Sequence, residues 1–175
     1  MSDKRLTLFP ADPFVPMPDI ETFTRKLTEI GFLEANAYSP TQFILGRIFR
    51  ELLDTSEEME HYHIPAWIEM FEEPTIQVGS DIQYMQSLKT PHGKEIGDAD
   101  TANQLIAALR EDAHATWQEP RFRQHYLIYG LDFDHYLAFG NHFLQLGIYL
   151  QPSDSFLQLL SERTGIEYQY ANYQA

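Results

Sequence analysis

A chain of 175 residues with 26 Asp and Glu against 12 Lys and Arg, and a formal net charge of −14, repels nucleic-acid backbones and anionic lipid. It contains no cysteine, which excludes a disulfide framework, a thiolate nucleophile and cysteine-ligated zinc. Hydrophobic residues at 43% and aromatics at 14% supply a globular core, so disorder is not expected and one domain over residues 1–175 is.

Arg5 to Phe9 favours an opening strand, and the four prolines of residues 10–18 exclude helix, leaving an N-terminal arm (1–18) that is extended after the strand. Asp19 then caps a helix from Ile20 to about Leu33, with Ile20, Phe23, Leu27 and Ile30 at three- and four-residue spacing. Ser39-Pro40-Thr41-Gln42 has the composition of a helix entrance, which predicts a helix through Ile44, Ile48 and Leu52. Gly46 weakens that helix by about 1 kcal/mol relative to Ala. Residues 54–73 carry no clear period. Thr75 to Val78 reads as a strand ending at Gly79, residues 89–100 as a surface loop, and Asp100 as the start of a helix through Leu105, Ile106 and Leu109.

In the last third, Tyr126–Tyr129 and Phe133–Phe139 favour strand, and Gly140-Asn141 signals a hairpin turn. Phe143 to Leu150 alternates, with Leu144, Leu146, Ile148 and Leu150 turned to the core. Ser153 or Asp154 caps a helix that Gly165 closes, and Ile166 to Tyr170 adds a final strand. Helices and strands that do not alternate regularly predict an α+β fold, mainly an antiparallel sheet with helices packed on one side.

No GxGxxG, GxxxxGK[ST] or GxSxG pattern is present, so neither a phosphate cradle nor a nucleophile elbow is visible. His61 and His63 stand two residues apart and share one face if extended. Asp132, Asp134 and His135, with His125 and His142 near in sequence, form a second group suited to Zn²⁺ or Fe²⁺. Without HExxH or an EF-hand loop, polar or hydrogen-bonded surface histidines are the simpler reading, and no cofactor is expected. The N-terminus has no apolar run of signal-peptide length, and no window approaches the roughly 20 apolar residues of a membrane span. A cytoplasmic location is the expectation.

The most informative stretch runs from Glu51 to Leu88, with nine carboxylates and no Lys or Arg. Tyr62, Trp67, Met70, Phe71, Tyr84 and Met85 are interleaved with the acids, and aromatics and Met are enriched at interface cores. This favours a non-catalytic, inhibitor- or immunity-type protein that neutralises a basic protein partner and binds no nucleic acid or membrane. Glu57, Glu58, Glu60, Glu69, Glu72 and Glu73 would steer association, and Tyr62, Trp67 or Phe71 would anchor it. The alternatives are a metal-dependent enzyme or metal-binding protein using His61 and His63, and a structural subunit pairing through its final strand.

Overall fold

The structure, a computed structural model, describes residues 3–53 and 63–175, with Pro40 described by its backbone alone. β1 (Lys4–Pro10) leads through the proline-rich arm to α1 (Ile20–Glu29), β2 (Leu33–Asn36), β3 (Ser39–Leu45) and the short helix α2 (Arg47–Glu51). β4 (Pro65–Val78) follows, then a 3-10 turn at Ser80–Tyr84, β5 (Leu88–Lys89), β6 (Glu95–Gly97) and α3 (Ala99–Glu111). β7 (Thr116–Gln118) and β8 (His125–Leu127) form a hairpin, and β9 (Leu137–Leu146), α4 (Asp154–Thr164) and β10 (Tyr168–Gln174) complete the α+β arrangement. Six strands form an antiparallel sheet in the order β10-β1-β9-β4-β3-β2.

The sheet is strongly curled, and its bend lies in the β4–β9 ribbon. Met70 pairs with His142 and Thr75 with Gly140, so residues 71–74 of β4 stand opposite Asn141 alone. Extra residues on one strand of an antiparallel pair turn the ribbon and sharpen its twist. Beyond the bend the ribbon returns over β1 to the far edge of the sheet. There the Asn172 amide donates to the His135 carbonyl at 3.0 Å, and the Ser80 hydroxyl donates to the Gln174 carbonyl at 3.3 Å.

Two main hydrophobic cores result, with a smaller third cluster of Phe9, Ala138, Phe143 and Ala171. Leu6 and Leu8 of β1 and Leu144 and Leu146 of β9 are fully buried with Phe23 and Leu27 of α1, Phe49 of α2, and Phe156 and Leu160 of α4. Within it Phe32, Phe49 and Phe156 meet edge to face, with centroids 5.0 to 6.4 Å apart. The second core packs Ala102, Ile106 and Leu109 of α3 on Ile76, Val78, Leu137 and Phe139 at the returning end of the ribbon.

The helix caps follow the sequence closely. Asp19 accepts from the Thr22 amide at 2.8 Å, and Ser153 accepts from the Phe156 amide at 3.1 Å. Gly165 closes α4 at φ 75°, a left-handed position that costs Gly little. The α3 cap is Asp98, two residues before the expected Asp100. α1 ends at Glu29 rather than near Leu33, because Gly31 at φ 81° turns the chain into β2.

Two expectations are overturned. Ser39–Leu45 is a strand and not a helix, since its backbone pairs with β2 on one side and β4 on the other. The helical turn comes only after Gly46, whose amide donates to the Phe32 carbonyl at 2.7 Å. Gly140-Asn141 is not a hairpin turn but the interior of β9, and Gly140 leaves room there for the Pro10 ring.

A Cβ at position 46 would lie 1.6 Å from the Gly31 carbonyl oxygen, so two backbone segments would have to part. Gly46→Ala is expected to lower stability by more than about 2 kcal/mol. Gly130→Ala, where nothing lies within 4 Å of the new atom, should stay within about 0.5 kcal/mol. Urea unfolding of both variants checks this, and equal midpoints would contradict the close approach.

Candidate functional site

The three carboxylates of β4 fall into two settings. Glu69 lies on the inner face of the curl, where one carboxylate oxygen is reached by three donors. Trp67 Nε1 and Gln145 Nε2 donate at 3.2 Å each, and the Arg5 guanidinium lies at 3.5 Å. Arg5 also packs its guanidinium 4.5 Å from the Tyr173 ring centroid and 5.8 Å from that of Trp67. Glu69 and Trp67 are thereby tied into an internal network.

That network reaches the interior through Thr7 and Gln145, both fully buried. Thr7 Oγ1 lies 2.6 Å from Gln145 Oε1, and Gln77 also meets Thr7 from beyond the bend. One hydroxyl proton cannot serve two amide oxygens. Gln145 turns its nitrogen to Glu69 and so accepts from Thr7, which requires Gln77 to present its NH₂ group to the Thr7 oxygen.

Glu72 and Glu73 sit at the bend itself, exposed, in the extra residues that have no ladder partner. With Glu111 and Asp112 from the end of α3 they line a groove of about 660 Å³, whose floor includes Ile76 and Phe139. Arg110 and His114 also border it, and His114 stacks on Phe14 with centroids 4.7 Å apart. None of the four carboxylates takes part in an ion pair among the described residues. Glu57, Glu58, Glu60, Tyr62 and His61 lie outside the described residues, and His63 is exposed with its ring 6.0 Å from that of Tyr38.

A second cleft, of about 590 Å³, opens on the other side of Phe139 between β10, the start of α4 and residues 129–135. Asp132 and Asp154 border it together with Tyr129, Tyr170 and His135. Asp134 and His135 are both left-handed, at φ 54° and 63°, a conformation that is uncommon outside Gly and that clusters at functional sites. The His135 ring lies flat on Tyr170 at 3.9 Å, and its Nδ1–H donates to the Tyr170 carbonyl at 3.2 Å. Burial, then the charges of Asp134, Asp154 and Asp132, hold the Tyr170 hydroxyl above its ordinary pKa.

Behind this cleft, Tyr168 donates its hydroxyl to His142 Nε2 at 2.7 Å. Asn141 fixes the other side of that ring. Its Nδ2 donates to the Val15 carbonyl at 2.6 Å, which leaves Oδ1 to accept from His142 Nδ1–H at 2.8 Å. His142 is thus a neutral, fully buried imidazole whose two nitrogens are both satisfied, and burial lowers its pKa to about 4. Among the described residues, no three His, Asp or Glu side chains gather closely enough to hold a metal ion. No described helix is long and apolar enough to cross a membrane.

The sequence reading did not single out Glu111, Asp112 or the Arg5–Glu69–Gln145 network. For Glu111 and Asp112 a signal existed: two acids end α3, where the helix dipole favours a cation. For the network no local signal exists, because its members come from β1, β4, β9 and β10.

The depressed pKa of His142 sets a pH dependence. The unfolded chain, at an ordinary 6.5, binds the proton that the folded chain refuses down to about 4. Stability is therefore complete above pH 6.5 and is lost as pH falls through that window, by about 2 kcal/mol between pH 7.5 and 5. Urea unfolding at those two pH values should show this loss in the native chain and a smaller one in His142→Gln; parallel losses would contradict it. Comparison of the chain with protein-family models, with curated proteins and with solved structures found no match.

Proposed function

We propose that this protein is a non-catalytic binding protein that sequesters a basic protein partner, in the manner of an inhibitor or immunity protein. The observation that supports the reading best is the groove at the β4 bend, where Glu72 and Glu73 face Glu111 and Asp112 with no ion pair among the described residues. Carboxylates without an ion-pair partner keep their field available to a cation. A groove of this shape adds apolar contact from Phe14, Ile76 and Phe139. On this reading Glu57, Glu58 and Glu60 add charge and Tyr62 adds an anchor for the same partner, while Trp67 and Glu69 act through the strand they brace. A cytoplasmic location is part of the same proposal.

β10 favours a second reading, self-assembly by strand addition, because it is an edge strand paired only with β1. The Asn172 amide is already taken by the His135 carbonyl, which shortens the free edge and places this reading second. A mass in solution that rises with concentration would favour it.

The test is capture from native lysate at low and high salt, using the native chain and the variant Glu72→Lys/Glu73→Lys. A basic protein held by the native chain at low salt, released at high salt and lost from the variant is the expected result. Its association rate with the variant should fall about ten-fold at low salt, with little change in dissociation. Equal capture by both chains would remove the groove from the account, and no basic captive at either salt would overturn the reading.

A further inference from the structure

We propose that the cleft bordered by Asp132 and Asp154 receives an arginine side chain of the basic partner, held between the two carboxylates against the faces of Tyr129 and Tyr170. The inference rests on the binding reading above and names the group that it would recognise.

The chemistry of the walls excludes most other occupants. Among the described residues no Lys or Arg borders the cleft, while Asp132 and Asp154 enter it from different elements. Neither makes an ion pair among the described residues, so their charge disfavours an anion there. A neutral apolar group would bury both carboxylates without compensation. A guanidinium answers both features, since its planar face stacks on aromatic rings and its forked N–H groups match carboxylate oxygens. A volume of about 590 Å³ is ample for one such side chain.

Continuity with the acidic groove supplies the partner. Phe139 borders both openings, and Tyr129, which borders the cleft, packs against Phe139 at 5.8 Å and against Phe14 of the groove at 6.2 Å. The groove and the cleft therefore adjoin across this aromatic row. The left-handed backbone at Asp134 and His135 lays the His135 ring on Tyr170, which stiffens that wall before any ligand arrives.

The experiment is an NMR titration of the full chain with N-acetyl-arginine amide, and with N-acetyl-citrulline amide, which has the same shape without the charge. Saturable shifts at Tyr129, Tyr170 and His135 with arginine amide are expected, with citrulline amide at least ten-fold weaker. Asp132→Asn/Asp154→Asn should weaken arginine amide at least ten-fold. The substitution is mild for folding, because Asn keeps the side-chain oxygen that accepts from the Asp134 amide and Ser153 still caps α4. Glu21→Gln, at an exposed acid of α1 that borders neither opening, should leave it within two-fold. Equal binding of citrulline amide, shifts scattered over the acidic surface, or an unaffected Asp132→Asn/Asp154→Asn chain would each overturn the proposal. Loss of the cleft alone, with a basic protein still captured through Glu72 and Glu73, would leave the wider reading standing. Saturable arginine amide in the cleft with no basic protein captured would do the reverse.

Discussion

The bend in the β4–β9 ribbon is the constraint on which the rest of the molecule depends. Four residues opposite one break the ladder, and the ribbon turns back over β1 until Ser80 and His135 reach β10. Thr7 holds the two halves together, contacting Gln145 before the bend and Gln77 after it. In this buried polar link Thr7, Gln145 and Gln77 share their protons consistently, with Glu69 and Arg5 as its outer end, where Arg5 Nε is buried without a partner among the described residues. The apolar cores then occupy what the curl leaves, one under α1, α2 and α4 and the other under α3.

The same bend separates two kinds of carboxylate in one acidic stretch. Glu69 lies in the regular ladder and is drawn to Arg5 on the inner face. Glu72 and Glu73 lie in the unpaired excess, which the turn of the ribbon carries outward toward the end of α3. Adding Glu111 and Asp112 there sets four carboxylates beside the single cation Arg110, with no ion pair to any of them among the described residues. The unfavourable placement of these acids at a helix C-terminus is a local cost of the sort found where a surface serves another purpose. A partner's positive charge would relieve it.

Much of the fold was legible because local rules act alone at the element ends. Asp19, Ser153 and Gly165 do what side-chain oxygens and a Cβ-free residue do at any helix end. Leu144, Leu146 and Ile148 alternate into the core as their spacing requires. The two overturned elements share one cause, a contact distant in sequence that overrides local preference. Ser39-Pro40-Thr41-Gln42 has the composition of a helix entrance, but pairing to β2 and β4 made the following residues a strand. Gly140-Asn141 has the composition of a turn, but Gly140 makes room for Pro10. Charge composition pointed to an acidic surface, and only the tertiary fold sets Glu72 beside Glu111 and Glu69 beside Arg5.

The central claim is that the fold gathers its negative field at the β4 bend and the adjoining cleft. It can be measured directly as the surface potential at each residue, from paramagnetic relaxation by a cationic and an anionic nitroxide of equal size. The account predicts the largest excess of cationic over anionic relaxation at Glu72, Glu73, Glu111, Asp112 and Asp132. An excess spread evenly over all exposed acidic residues, with Glu21 and Glu162 equal to Glu72, would contradict it.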